Sequence, residues 1–142
     1  MLDKERILGK IDELDTYLKE LTQIIPANFK EYQKIEIKRS CERLLQLSIE
    51  CVIDISKLFV SGLRLGLPSE ENDLFKKLRK NKIISEGILI VLKEMRGLRN
   101  ILVHEYANVD DEIIFKVIKK RLGDFKKFKR EILTSLNQRK NK

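Results

Sequence analysis

Apolar residues recur at alternating steps of four and three along most of this chain, and that spacing leaves room for little except helices. Ile7, Ile11, Leu14, Leu18, Leu21 and Ile25 form one stripe; Ile37, Cys41, Leu44, Ser48, Cys51, Ile55 and Leu58 form a second, widened by Leu45, Ile49, Val52 and Phe59. Residues so spaced share one face of a helix. Strand-like alternation of useful length is missing.

Punctuation marks where each helix starts and stops. Asp3 is placed to cap the first helix, and Pro26 marks its end. The second has more apolar surface than one antiparallel neighbour covers, so it belongs at the bundle centre or reaches into a dimer interface. Gly62, Gly66 and Pro68 break the pattern between Ser61 and Pro68. Ser69 is the expected N-cap of a short third helix, with Glu70, Glu71 and Asp73 at its positive end and Leu74, Phe75 and Leu78 as anchors. Asn81 and Lys82 turn the chain, and Ser85 caps a fourth helix running through Ile88, Val91, Leu92, Met95 and Leu98. Asp110 or Asp111 caps the fifth, whose stripe is Ile114, Val117, Ile118, Phe125, Phe128, Ile132 and Leu136, interrupted by Arg121. The expected fold is all-α: an up-and-down bundle of four main helices plus a short extra helix. One domain is expected over residues 1–136, with 137–142 a basic tail that frays.

Composition narrows the function classes. The 142 residues carry 30 Lys and Arg against 22 Asp and Glu, a formal net charge of +8. That balance suits an acidic partner such as nucleic acid, or simply a solvated charged surface. The outer face of the last helix is basic, with Lys116, Lys119, Lys120, Lys126, Lys127, Lys129 and Arg130. No run approaches the roughly 18 apolar residues that a membrane span needs, and the charged start lacks the apolar core of a signal peptide. Cys41 and Cys51 fall on one helix about 15 Å apart, too far for a disulfide. They are expected as buried free thiols in a reducing cytoplasm. With one histidine and no zinc-ligand spacing, neither metal nor cofactor is expected.

That histidine lies in Arg96-Gly97-Leu98-Arg99-Asn100-Ile101-Leu102-Val103-His104-Glu105-Tyr106. With Arg99 set at zero on a helix wheel, Tyr106 falls at about −20°, Arg96 near 60°, Asn100 near 100° and His104 near 140°. Val91, Met95, Leu98 and Leu102 occupy the other flank as a core stripe. The polar arc is either a solvated helix end or a site where guanidinium, amide, imidazole and phenol collect. Gly97, inside the helix, costs about 1 kcal/mol relative to alanine. It either admits another backbone or substrate, or is tolerated local flexibility.

Arg99, four residues, His104, Glu105 and Tyr106 resemble the Arg-x(4–6)-His-x-Tyr signature of the HepT-like proteins of the HEPN superfamily. Asn100 matches the polar residue that follows the arginine. The flanks are similar too: Gly62-Leu63-Arg64 and then Pro68, Leu78 to Ser85, and Val109-Asp110. The resemblance implies a helical homodimer in the cytoplasm, the toxin of a type II toxin–antitoxin pair, which cleaves RNA without a metal. It also implies a cognate nucleotidyltransferase antitoxin of the MntA type that attaches AMP to Tyr106 and silences the toxin.

The residue types fit such chemistry. Attack by a ribose 2′-hydroxyl needs a base, an acid and positive charge for the phosphorane oxygens. An imidazole, with an ordinary pKa of about 6.5, serves as base or acid at neutral pH. Arg99 offers a fork of donors for phosphate, with Asn100 and Arg96 in support. One chain has one histidine; a two-fold dimer with motif helices facing supplies the second. The alternative is a non-catalytic, nucleotide-binding partner subunit of the nucleotidyltransferase, and a third reading is a helical adaptor.

Overall fold

A computed structural model of the chain describes residues 1–104 and 108–140. Among them are α1 (Lys4–Ile24), α2 (Phe29–Tyr32), α3 (Ile35–Gly62), α4 (Glu71–Lys80), α5 (Glu86–His104), α6 (Asp111–Lys120) and α7 (Gly123–Lys140). The described residues contain no strand. The four main helices of the expected bundle are α1, α3, α5 and α7, and the short extra one is α4.

α3 is the axis. It runs for 28 residues and buries Cys41, Leu45, Ile49, Val52, Ile55 and Phe59 along one broad face. It packs against α1, α2, α4, α5 and α6, which places it at the bundle centre. Phe59, Phe75, Phe125 and Phe128, from α3, α4 and α7, are shut away from solvent. Burial of each such side chain contributes about 1.5–3 kcal/mol. At the end of α3 a Cβ on Gly62 would stand 3.0 Å from the Leu2 Cα, so glycine is what lets the N-terminal residues lie across it. Gly66, in the loop to α4, has φ +104°, a conformation that L side chains rarely adopt.

Three caps are where expected. Asp3 accepts from the Arg6 N–H at 3.2 Å. The Ser85 hydroxyl accepts from the Ile88 N–H, also at 3.2 Å. Of the two aspartates before α6, Asp110 is the cap, accepting from the N–H groups of Glu112 and Ile113. Asp111 instead receives Lys38 at 3.2 Å.

Ser69 is not a cap. α4 starts later, at Glu71, behind an extended Glu70 whose side chain caps nothing. The Ser69 N–H donates to Asp73 at 2.9 Å, so the carboxylate reaches back to the loop. The turn after Pro26 holds a one-turn helix, α2, capped by Asn28, whose side chain accepts from the Glu31 N–H at 2.9 Å. Its Tyr32 is buried with its ring 5.2 Å from that of Phe115. The expected last helix is two, divided at Arg121. That guanidinium grips Glu94 of α5 through both terminal nitrogens, at 3.0 and 3.2 Å, and donates to Asp124 at 3.0 Å. Hydrogen bonds from Arg121 hold the Glu94 carboxyl below the usual carboxylate range. A charge that breaks an apolar stripe thus ties a helix junction to its neighbour. α7 continues through Lys140, so the expected frayed tail is helical over 137–140.

Both cysteines are buried and free, and burial pushes each thiol up to about 11. No helix among the described residues is long and apolar enough to cross a membrane.

Two measurements check these details. Asp110→Ala lowers stability by about 1 kcal/mol, the usual worth of a cap, whereas Ser69→Ala, at an exposed non-cap position, stays within about 0.5 kcal/mol; denaturant melts distinguish them. Because only the thiolate reacts, iodoacetamide at pH 8 labels neither cysteine in the folded protein and both after denaturation.

Candidate active site

The wheel angles of α5 become a gradient of burial. Val91, Met95, Leu98 and Leu102 face the core, so Arg99 stands at its margin, Arg96 next, Asn100 further out, and His104 on the far side. Side-chain exposure follows: 18% for Arg99 and 28% for Arg96, with His104 fully on the exposed side at the last residue of α5.

A guanidinium at the edge of an apolar core needs a counter-charge. It comes from α4, which packs beside α5 and whose first residue is Glu71. One oxygen of Glu71, Oε1, accepts from Arg96 Nε at 3.3 Å and from Arg99 Nη2 in a closer contact. The carboxylate is itself about three-quarters buried and occupies the first turn of its helix, where the macrodipole favours negative charge. Two positive groups share one negative group, leaving a local excess of one positive charge. Arg99 Nε is buried with no partner among the described residues, as is Asn72 Oδ1 beside Glu71.

The structure therefore brings Arg96 and Arg99 together. Asn100 is half-buried, and among the described residues no side-chain hydrogen bond joins it or His104 to either arginine. Tyr106 lies outside the described residues. Sequence reading missed Glu71 as part of the site and assigned it to the helix dipole alone. Its two partners are 25 and 28 residues away, beyond any local pattern. The usable signal was the pair of arginines three apart on a helix margin, which demands a carboxylate from a neighbouring element. Among the described residues no three His, Cys, Asp or Glu side chains converge on a possible metal position.

Beyond His104 the surface of α5 turns apolar. Ile90 is 53% and Ile101 38% exposed, and between them a Cβ added to Gly97 would meet nothing within 4 Å. Gly97, Leu98, Ile101, Ile113 and Val117 border a groove of about 340 Å³. Open space at an exposed glycine is what approach by another molecule requires; nothing among the described residues fills it. Lys126, Lys127 and Arg130 of α7 are exposed, while Lys129 is paired to Asp15 of α1 at 2.7 Å.

The model of the family described as ribonuclease HepT-like matches residues 14–132. The chain belongs to that family. Among HepT-like relatives, an mRNA nuclease HepT from Shewanella oneidensis is 31% identical over 122 residues, covering 86% of this chain and 92% of that protein. A tRNA nuclease HepT from Aphanizomenon flos-aquae is 29% identical over 124 residues, covering 87% and 84%. Among solved structures, the tri-AMPylated HEPN toxin of Shewanella oneidensis in complex with MNT antitoxin superposes with a TM-score of 0.85 at 30% identity, over 94% of this chain and 99% of that one. The all-helical HEPN-like fold is thus shared with a toxin solved on its antitoxin.

His104 is exposed and makes no side-chain hydrogen bond among the described residues. His104→Ala accordingly leaves stability within about 0.5 kcal/mol of the parent, whereas Arg99→Ala, which takes from the part-buried Glu71 carboxylate its closer donor and leaves it Arg96 alone, costs about 1–3 kcal/mol. Thermal melts of the two variants check the contrast.

Proposed function

We propose that this HepT-like chain is a metal-independent endoribonuclease and the toxin of a toxin–antitoxin pair, acting in the cytoplasm as a homodimer. The observation that carries the reading is the pairing on one helix of a carboxylate-anchored arginine, Arg99, with an exposed imidazole, His104, in a chain similar over most of its length to two nucleases. The free buried thiols support a cytoplasmic setting.

The chemistry runs through the substrate's own ribose. The 2′-hydroxyl gives its proton to one imidazole and its oxygen attacks the adjacent phosphorus. The bond from phosphorus to the 5′-oxygen breaks, and that oxygen takes a proton from a second, protonated imidazole. The products are a 2′,3′-cyclic phosphate and a 5′-hydroxyl. Arg99 places N–H donors where negative charge builds on the phosphorane, with Asn100 and Arg96 in support. Within one chain His104 lies about 140° around α5 from Arg99. A symmetry mate packed along Ile90, Gly97 and Ile101 brings the partner's motif helix alongside and provides the second histidine. The exposed apolar stripe and the open glycine support that contact.

Regulation falls to Tyr106. A nucleotidyltransferase antitoxin of the MntA type transfers AMP from ATP to its hydroxyl: the phenol oxygen bonds the α-phosphorus, its proton is lost and pyrophosphate leaves. The adduct adds negative charge and bulk two residues from His104, competing with RNA for the guanidiniums.

His104→Ala lowers RNA cleavage by about 10²–10⁴-fold with the melting curve unchanged; undiminished cleavage by the folded variant sinks the assignment. Incubation with the nucleotidyltransferase and ATP, followed by peptide mass spectrometry, places AMP on Tyr106, and Tyr106→Phe escapes silencing. Modification confined to other residues removes Tyr106 from the mechanism.

A further inference from the structure

Glu71 lies outside the Arg-x4-His-x-Tyr motif, yet both motif-region arginines touch it. We infer that Glu71 is a positioning residue for the reaction: it fixes the Arg99 guanidinium, with Arg96 as the second member of the clamp, so that the unspent edge of Arg99 meets the scissile phosphate. The inference deepens the nuclease reading above and rests on it.

Geometry and charge both point this way. Arg99 spends a single terminal nitrogen, Nη2, on Glu71. Nε is shut in without a partner, so it anchors nothing and reaches no substrate. Nη1 has no protein partner among the described residues, and a phosphate oxygen can take it. A carboxylate that closed a two-point fork on Arg99 would leave less of the guanidinium for substrate. The one-point contact restrains the side chain and leaves donors unspent. Arg96, meeting the same oxygen at 3.3 Å, stops that oxygen from following Arg99 outward. One carboxylate also screens the repulsion between two guanidiniums without cancelling their attraction for phosphate. Glu71 is carried by α4, so the position of Arg99 is set by the packing of α4 on α5 rather than by the flexible arginine stem alone.

Removing Glu71 therefore has opposite effects on binding and on turnover. Without it the cluster is one charge more positive, so RNA binds more tightly; the guanidinium wanders, so the chemical step slows. For Glu71→Ala we expect kcat to fall about 10–100-fold, in the range that small misplacements of a catalytic group cost, while KM is unchanged or lower. Glu71→Gln, whose amide oxygen still accepts a hydrogen bond, recovers part of the loss, and it is the variant to use if Glu71→Ala folds poorly. A structural role alone moves kcat with the folded fraction and leaves no split between kcat and KM.

The experiment uses the full-length chain and a short fluorescein-labelled single-stranded RNA of mixed sequence, measuring cleavage directly and binding in the His104→Ala background. Expected are a slower Glu71→Ala enzyme, no further slowing when Glu71→Ala is added to Arg99→Ala, and tighter RNA binding that disappears once Arg99 is replaced. Parent-like cleavage by Glu71→Ala, or a full additional loss on top of Arg99→Ala, overturns the inference. If the parent cleaves no RNA, the nuclease reading falls, and the positioning role is then decided by binding: an Arg99-dependent tightening supports it, and equal binding with and without Glu71 overturns it.

Discussion

A guanidinium cannot rest against an apolar core without a counter-charge, and the arrangement around α5 follows from that constraint. Arg99 lies on the wheel beside Met95 and Leu102, close enough to the core to lose most of its water. Glu71 makes the position tenable, and Glu71 comes from a short helix whose anchors, Leu74, Phe75 and Leu78, are buried in the same core. The apolar packing of α4 thus decides where a carboxylate falls, and the carboxylate decides how a motif arginine is held. A surface ion pair of the same residues would contribute little. The partial burial of all three side chains makes this one matter, since the loss of Glu71 strands two guanidiniums where water is scarce.

Much of the fold was legible because helical periodicity and capping are local. The stripes of α1 and α3, the cap at Ser85 and the cap at Asp110 are read from residues within one or two turns of each other. Arg121 announced itself as a break in the last stripe, but its partner Glu94 is 27 residues away, so only three-dimensional packing turns that break into two helices. Asn28 followed three residues later by Glu31 has the spacing of a helix start, yet the buried Tyr32 packs against Phe115, which only tertiary folding brings to it. Ser69 misled because serine before an acidic run has the look of a cap; the backbone instead runs extended through Glu70, and Asp73 reaches back.

The site divides the same way. Arg96, Arg99, Asn100 and His104 share one helix, so their angular spacing around it follows from the sequence alone. What the wheel does not contain is the neighbour. Glu71 enters through tertiary packing, and the resemblance of the motif to the HepT-like family says nothing of it. The lone histidine raises the complementary matter: the exposed strip of Ile90, Gly97 and Ile101 lies next to His104 on the wheel. A chain that leaves apolar side chains and a bare helical glycine beside its only imidazole has a surface suited to a second copy of itself, which fits a reaction using one base and one acid.

The most direct test of the account is the chemistry of the cut ends. Purified protein and RNA are incubated with a chelator in excess over any divalent ion, and the fragments are analysed by mass spectrometry. Attack by the ribose hydroxyl, assisted by imidazole and guanidinium alone, leaves a 2′,3′-cyclic phosphate on one fragment and a 5′-hydroxyl on the other, at a rate that the chelator does not change. Fragments ending in 5′-phosphate, or cleavage that stops when the chelator is added, would contradict it.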